Sequence, residues 1–229
     1  MQGTGSGQGF WALLSHDQQD ALSGLSLPRD YPAGATICLE GDPATHVFIL
    51  TAGLVKVVSA TDDGHDIVLA LRGQGDLVGE VAGETTGRRN ATIQAVDAVH
   101  ALIVPRGTFN SFLDANPGAG RAYRRVVTQR WNDADTMLRS RAATTGAQRL
   151  AGLLLDLADR YGRPVDGTIH LVMPLTQDEL ASMIGASRAT VTRALSNWRR
   201  RGFILTGQRH VTILAEAGLR KVTGQQWPG

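Results

Sequence analysis

The residues best suited to chemistry in this 229-residue chain are arginines gathered toward its C-terminal end. Six of them, and no acidic residue, lie between Leu180 and Ala215, although the net charge of the chain is only +2. They are Arg188, Arg193, Arg199, Arg200, Arg201 and Arg209. A guanidinium group can bind a phosphate or the edge of a guanine through two parallel hydrogen bonds. Such a segment is typical of a protein that binds nucleic acid, although a merely solvated charged surface would have the same composition.

The local pattern around these arginines decides between the two interpretations. Thr176 and Glu179 have the spacing of a capping box, which predicts that a helix begins there. Gly185 then permits a tight turn, and Ser187 can cap a second helix. That second helix has an apolar stripe, Val191, Ala194, Leu195 and Trp198, opposite a face that carries Arg188, Ala189, Thr192, Arg193 and Ser196. The segment therefore predicts a helix-turn-helix whose second helix presents arginine to the major groove of DNA.

The DNA contacts that we expect from this motif are of two kinds. Arg188 and Arg193 are suited to guanine O6 and N7, and so to reading sequence, with Ala189 and Thr192 beside them. Hydroxyl groups placed for phosphate contacts, which position the protein, belong to Ser187 and Thr190, and the capping residue Thr176 is a further candidate for DNA contact. Residues 203–213 predict a β-hairpin, a wing whose Arg209 could touch the DNA backbone.

The first half of the chain has the pattern of an all-β domain. Between Leu27 and Pro105, runs of apolar and β-branched residues are separated by turns rich in Gly and Asp. The runs are 36–39, 46–50, 53–59, 66–71, 91–95 and 98–104. Short strands at this regular spacing predict a sandwich or barrel.

A long helix is expected between this domain and the helix-turn-helix. Residues 121–145 contain neither Pro nor Gly, and a near-heptad seam runs through Tyr123, Val127, Trp131 (or Arg130), Ala134 and Leu138. A helix of about 25 residues is about 37 Å long, which is too long for a small core, so we predict that it pairs with a second copy. The alternative is a helix buried against its own domain. An amphipathic helix at 147–161 should then belong to the C-terminal core.

Two stretches of the sequence resemble the CRP/FNR family, the cyclic AMP receptor protein type of bacterial transcription regulator. One is the helix-turn-helix from Leu175 to Leu195, and the other runs from Gly75 to Thr92. The resemblance implies an α+β fold with a cyclic-nucleotide-binding-like β-roll (jelly roll) at 1–115, a dimerisation helix at 116–145 and a winged helix-turn-helix at 146–229. It also implies a homodimer that binds a pseudo-palindrome in double-stranded DNA, with half-sites about 34 Å apart, and RNA polymerase as a candidate partner.

In the family members that bind a cyclic nucleotide, the second stretch is the ligand pocket. The resemblance implies that Glu80 accepts the ribose 2′-hydroxyl, that Arg89 binds the cyclic phosphate, and that further contacts come from Gly79, Val81, Asn90 and Thr92. A short helix after Glu80 would also present backbone N–H groups to the anion. The alternative is that Glu80 and Arg89 pair with each other in a degenerate pocket, and that the regulator acts constitutively.

Four positions depart from the family pattern. The pair that reads adenine on the long helix falls at Ala134 and Asp135, and a carboxylate there suits the N1–H and N2–H₂ donors of guanine. The candidate effectors are therefore cyclic AMP (cAMP), cyclic GMP and cyclic di-GMP. Asn90 stands where a small hydroxyl residue or Ala is usual. Ala189 replaces the usual Glu and removes an acceptor for cytosine N4, which predicts a changed operator at that base pair.

The remaining features narrow the class of protein. No apolar run reaches the roughly 18–20 residues of a membrane span, so a membrane channel is excluded. A Walker loop, a Gly-x-Ser-x-Gly turn and a metal-spaced His/Cys set are all missing from the sequence, which argues against an enzyme. Cys38 is the single cysteine and is expected in a strand, so an intramolecular disulfide is impossible and the chain suits a reducing cytoplasm. The competing interpretation is an architectural DNA-binding protein of low sequence specificity.

Overall fold

We describe the protein from a computed structural model. The described residues are 9–60, 66–81, 87–173, 175–208 and 210–224, without the side chains of Asp66 and Met137. The chain divides into two compact units, Met1–Asn132 and Asp133–Gly229. One long helix begins in the first unit and ends in the second.

The first unit opens with a 3-10 turn, Phe10–Leu13, and helix α1, His16–Gly24. Its strands are β1 Leu27–Tyr31, β2 Thr36–Cys38, β3 His46–Ala52, β4 Val55–Ala60, β5 Asp66–Arg72, β6 Leu77–Val78, β7 Thr92–Ala95 and β8 Val99–Pro105. They form two antiparallel sheets in the orders β1-β8-β3-β6 and β2-β7-β4-β5. The expected all-β domain is confirmed, with β1 and β6 as strands that the sequence pattern did not indicate.

Two further helices complete this unit, α2 at Arg106–Ala115 and the long helix α3 at Pro117–Ala143. The first turns of α3 bury Ala119, Ala122 and Val126 in an apolar cluster that includes Phe10, Leu22 and Phe109. Tyr123 stacks edge-on against Phe109 at 5.8 Å between ring centroids. Tyr123 was expected on the seam between two copies, but it packs on the core of its own roll because α3 starts there.

The second part of α3 has a different surface. Trp131 and Leu138, one heptad apart, are 72% and 65% exposed. Apolar side chains of this size are seldom left in water on a helix without a partner. The seam expected from the sequence therefore has an exposed half, which begins near Trp131.

The second unit contains the C-terminal part of α3 and a helical core with a small sheet. Helix α4 spans Gly146–Tyr161 and begins with a capping box on Thr145. Strands β9 Arg163–Val165 and β10 Thr168–Val172 precede helices α5 Gln177–Ile184 and α6 Arg188–Arg200. Strands β11 Ile204–Gly207 and β12 His210–Ile213, and helix α7 Glu216–Val222, follow.

The wing predicted from the sequence is present, but it belongs to a larger sheet. The strand order is β11-β12-β10-β9, all antiparallel. The β9–β10 hairpin was not expected, because β9 is short and exposed along its whole length and carries no apolar alternation. Within the described parts of the chain, no helix is long and apolar enough to cross a membrane.

Candidate DNA-binding face and ligand pocket

The helix-turn-helix is built by the local bonds that the sequence predicts. The Thr176 hydroxyl accepts from the N–H of Glu179 at 3.1 Å, and the Glu179 carboxylate accepts from the N–H of Thr176 at 2.7 Å. Gly185 ends α5 in the left-handed conformation, φ 58°, which favours glycine. Ser187 then caps α6 by accepting from the N–H of Thr190 at 3.2 Å. The turn between the two helices is therefore fixed at both ends.

Burial orients helix α6 about its own axis. The apolar stripe Val191, Ala194, Leu195 and Trp198 is buried, as expected. The predicted recognition residues on the opposite face are exposed: Arg188, Ala189, Thr192 and Arg193. Farther along this face an open depression of about 650 Å³ is lined by Thr192, Arg193, Ser196, Asn197, Arg199 and Arg200. Among its lining residues are three arginines and no acid.

Helix α5 contributes two side chains to the exposed face that the sequence reasoning missed. Asp178 pairs with Arg188 at 3.2 Å, and each side chain is about two-thirds exposed. Gln177 accepts from the hydroxyl of Thr192 at 2.5 Å. The signal was available, because the first turn of α5 directly follows the capping residue. Both contacts hold recognition-helix side chains in place before any DNA is bound.

The hydroxyl groups predicted to contact DNA lie around the start of the two helices. Thr176 and Ser187 are exposed, and Thr190 is half-buried with its hydroxyl 3.0 Å from that of Ser187. Each stands at or near a helix N-terminus, where backbone N–H groups favour an anion. Arg209, predicted for the wing, lies outside the described residues.

The predicted pocket of the first unit places its two ionic residues in the interior. Glu80 is 3% exposed and Arg89 is 5% exposed. Arg89 donates to the carbonyl oxygens of Gly79 at 2.8 Å and His46 at 2.7 Å. Its Nε is buried and has no hydrogen-bond partner among the described residues. Burial, as the main cause, lowers the pKa of Arg89 from its ordinary value, and the Arg106 guanidinium adds to this effect.

Glu80 has a different partner from the one considered in the sequence analysis. Its carboxylate forms a hydrogen-bonded ion pair with Arg130 of α3. The interpretation that Glu80 and Arg89 pair with each other is therefore wrong, because the guanidinium of Arg89 is turned to backbone carbonyls. Arg130 also donates to the carbonyl of Leu77 at 2.7 Å. The sequence had placed Arg130 only as an alternative member of the helix seam, and no local pattern marked it as a residue of the pocket.

Arg106 is a second missed residue of this site. At the start of α2 it donates to the carbonyls of Gly79 at 2.7 Å, Glu80 at 3.0 Å and Ala44 at 2.8 Å. Three guanidinium groups thus surround Gly79 and Glu80, whereas among the described residues the carboxylates paired with them are those of Glu80 and of Asp76, which lies 3.9 Å from Arg130. An anion is the ligand that this imbalance favours.

The other predicted pocket residues are less enclosed. Val81 is 38% exposed and Asn90 is exposed. The hydroxyl of Thr92 accepts from the N–H of Glu40 at 3.0 Å. The short helix expected after Glu80 falls largely on residues 82–86, outside the described residues. Ala134 and Asp135, which belong to the second unit, are exposed, and Asp135 pairs with Arg139 at 2.5 Å.

Cys38 occupies the end of β2, as the sequence predicted. Burial, as the main cause, raises the pKa of its thiol, and the nearby Arg89 only partly offsets this. Within the described segments, no group of three or more His, Cys, Asp or Glu residues is arranged to hold a metal ion.

Two segments of the chain match known domain families. Residues 28–116 match the cyclic nucleotide-binding domain family, and residues 148–222 match the Crp-like helix-turn-helix domain family. The chain is 31% identical, over 84% of its own length and 86% of the relative's, to the CRP-like cAMP-activated global transcriptional regulator of Mycobacterium tuberculosis. It is 23% identical, over 92% of its length and 93% of the relative's, to the transcriptional activator protein FnrA of Stutzerimonas stutzeri.

Solved structures show the same fold. FixK2 from Bradyrhizobium japonicum superposes with a TM-score of 0.75 at 20% identity, covering 88% of this chain and 99% of FixK2. A CRP/FNR family regulator from Thermus thermophilus superposes with a TM-score of 0.71 at 23% identity, covering 88% of this chain and all of that one. With a β-roll of the cyclic nucleotide-binding type and a Crp-like helix-turn-helix in the family's order, this chain belongs to the CRP/FNR family of transcription regulators, which act by binding DNA and not as enzymes.

Proposed function

We propose that the protein is a homodimer that reads a pseudo-palindromic operator through the exposed face of α6, under the control of a cyclic nucleotide. The observation that carries the DNA-reading part is the exposed arginine of α6 above a fully buried apolar stripe. Arg188 and Arg193 are about 1.4 turns apart on α6 and both are exposed, so both can reach bases in one groove. Thr176, Ser187, Thr190 and the wing residue Arg209 supply phosphate contacts.

The dimer follows from the exposed half of α3. Trp131 and Leu138 supply an apolar stripe that an identical helix can cover, and a two-fold dimer matches the symmetry of a palindrome. Leu138→Asp should therefore weaken self-association in sedimentation experiments, with Arg163→Asp on exposed β9 as the control. A wild-type chain that sediments as a monomer bound to DNA would contradict the proposal.

The DNA-reading function is tested by selection from random duplexes. The expected result is a pseudo-palindrome whose half-site centres lie about 10 base pairs, or one helical turn, apart. Because Ala189 offers no acceptor to cytosine N4, one base pair of the half-site should be poorly specified. Selection that yields no preferred sequence would instead support the architectural DNA binder.

The pocket supports an anionic effector. The Nε of Arg89 is a buried donor that no described residue accepts from, and a cyclic phosphate is an acceptor of suitable charge. Glu80 is already held by Arg130 through one oxygen, which leaves acceptor capacity for a ribose 2′-hydroxyl. Gly79, Val81, Asn90 and Thr92 would complete the walls of the pocket. The relative from Mycobacterium tuberculosis is named as cAMP-activated, which makes cAMP the first candidate.

The base of the effector is expected to meet Ala134 and Asp135. Ala134 cannot donate or accept through its side chain, and Asp135 can only accept while ionised. A guanine base offers two adjacent donors to a carboxylate, so cyclic GMP and cyclic di-GMP are the other candidates. Binding of either would compete with Arg139 for Asp135.

Calorimetry with the three nucleotides tests the effector. The wild type should bind one of them, and Arg89→Ala should abolish the binding while non-specific DNA binding persists. Arg29→Ala, an exposed arginine of β1 in the same unit, is the control. If none of the three binds, the pocket is degenerate and the regulator acts constitutively.

Each segment of the chain has a role in this proposal. We assign 1–115 to effector sensing, 116–145 to dimerisation and 146–229 to DNA binding. A cytoplasmic location and a contact with RNA polymerase follow from the family's role in transcription, and the exposed strand β9 is available to such a partner.

A further inference from the structure

One side chain, that of Arg149 in the first turn of α4, donates hydrogen bonds to backbone carbonyls at the ends of two helices. Its Nε donates to the carbonyl of Ile184 at 2.6 Å, and its NH2 donates to the carbonyl of Gly185 at 3.1 Å. Its NH1 donates to the carbonyl of Thr144 and lies 3.5 Å from that of Arg141. The first two carbonyls end α5 of the helix-turn-helix, and the other two lie at the end of the long helix α3. One guanidinium therefore satisfies acceptors that a helix C-terminus otherwise leaves open.

Two glycines show that the same parts of the chain touch closely. A Cβ on Gly146 would lie 2.8 Å from the Thr190 methyl group and 3.0 Å from Cβ of Ala186. A Cβ on Gly185 would lie 2.8 Å from Nε of Arg141. The turn that leads into α6 thus rests on the connection between α3 and α4 with no room for a methyl group. These contacts are independent of the hydrogen bonds of Arg149.

The geometry of these bonds calls for arginine. Guanidinium has five N–H donors fixed in a plane, so three different nitrogens can reach carbonyls on both sides. A lysine ammonium has three donors on one atom and cannot span them. Within the described residues, no acidic side chain forms an ion pair with Arg149, so its charge is directed to the helix ends.

We propose that Arg149 is a positioning residue for DNA recognition. It ties the turn between α5 and α6 to the end of the long helix, and so fixes the direction in which α6 presents Arg188 and Arg193. The inference rests on the proposed DNA-reading function and adds a residue that touches no DNA. Loss of the tie would loosen the recognition helix while the phosphate-binding charge of the unit stays almost unchanged.

The test compares Arg149→Ala and Arg149→Lys with the wild type in the full chain. Affinity is measured by fluorescence anisotropy for the selected operator and for a scrambled duplex, over a range of salt concentrations at which circular dichroism shows each variant folded. Arg149→Ala should bind the operator about tenfold or more weakly, and bind the scrambled duplex within about threefold of the wild type. Arg149→Lys should recover part of the loss. The control is Arg220→Ala on α7, an arginine that is also partly buried but pairs with carboxylates.

A loss shared equally by operator and scrambled duplex, or an unchanged ratio of the two affinities, would overturn this role of Arg149. Should Arg149→Ala fail to fold, Arg149→Lys and Gly146→Ala are expected to lower the same ratio, and an unchanged ratio in both has the same meaning. Amide hydrogen exchange gives a readout that needs no operator. Residues 186–190 should exchange about tenfold faster in Arg149→Lys than in the wild type, because a broken tie favours local opening. Unchanged exchange contradicts the tie, whereas a wild type that selects no sequence contradicts only the DNA-reading function.

Discussion

The pocket of the first unit and the DNA-reading face of the second both depend on arginine, but they use it in opposite ways. In the pocket, Arg89 is buried and Arg130 is partly buried, and they are bonded to backbone carbonyls and to Glu80. On the face, Arg188 and Arg193 extend into solvent above a buried apolar stripe.

Because of this difference, the buried arginines and the exposed arginines contribute differently to the stability of the fold. A buried charge without its partner is costly, so the pocket network is part of the stability of the roll. An exposed charge contributes little to stability and is available for binding. Substitutions in the two regions should therefore have opposite signatures, one in unfolding and the other in DNA affinity.

Glu80→Ala should produce the largest change in stability. It removes the nearer of the two carboxylates that pair with the Arg130 guanidinium, which is 17% exposed, and leaves Asp76 at 3.9 Å. Breaking a buried pair from one side costs about 3–5 kcal/mol of unfolding free energy. Urea unfolding of the full chain measures the loss. The matched control is Asp178→Ala, which breaks the exposed pair with Arg188 and should change the free energy of unfolding by less than about 1 kcal/mol. If both substitutions lower the free energy of unfolding equally, the pocket and the DNA-reading face do not differ in the way proposed.

Arg188→Ala should show the opposite signature. The unfolding free energy should stay within about 0.5 kcal/mol of the wild type. Specific affinity should fall by about tenfold or more for each half-site, because a bidentate contact to a base is worth about 1–3 kcal/mol. Footprinting on the selected operator measures this, with Arg163→Ala as an exposed control in the same unit. An unchanged footprint would show that Arg188 does not read the sequence.

Gly185→Ala tests the turn that carries the reading face. The φ of 58° favours glycine, and the new Cβ would also press on Arg141. A non-glycine residue in this conformation costs about 1–2 kcal/mol. Thermal unfolding should therefore report a lower midpoint. Gly152→Ala, a helical position where a Cβ meets nothing within 4 Å, should raise the midpoint instead. A higher midpoint of thermal unfolding in both variants would show that the turn at Gly185 does not require glycine.

The smallest expected effect is on the reactivity of the Cys38 thiol, which lies near Arg89 of the pocket. Burial raises the pKa of this thiol above its usual value, so at pH 8 the folded protein has less thiolate than the unfolded chain. Reaction with a thiol reagent should be slower in the native state, and should accelerate as the pH rises. Arg89→Ala removes a charge that lowers the pKa of Cys38 and should slow the reaction further. Native protein that reacts as fast as unfolded protein would contradict a buried thiol.

The sequence predicted the parts of the molecule that depend on neighbours in the chain. The Thr176–Glu179 capping box, the turn at Gly185 and the buried stripe of α6 each follow from spacing within a few residues. The strands of the roll were predicted for the same reason, because alternation and turn residues are local. Strands β1, β6, β9 and β10 were missed, and the first three are short or exposed and carry no alternation.

Contacts between distant residues could not be predicted in this way. Arg130 meets Glu80 across 50 positions of the sequence, and Arg149 meets Ile184 across 35. Nothing local marks either arginine, since both lie on helices where arginine is a good helix former. For Arg89 the motif indicated the role of the side chain. It did not indicate that the carbonyls of Gly79 and His46 hold the guanidinium.

The most direct test of the account removes a single acceptor atom from the DNA. Each guanine of the selected half-site is replaced in turn by 7-deazaguanine, which lacks N7, and the affinities of the wild type and Arg188→Ala are compared. At one guanine, loss of N7 should lower the affinity of the wild type about tenfold or more. The same loss should leave the affinity of Arg188→Ala unchanged. If Arg188→Ala loses as much as the wild type at every guanine, the exposed arginine of α6 does not read the sequence, and the central claim is wrong.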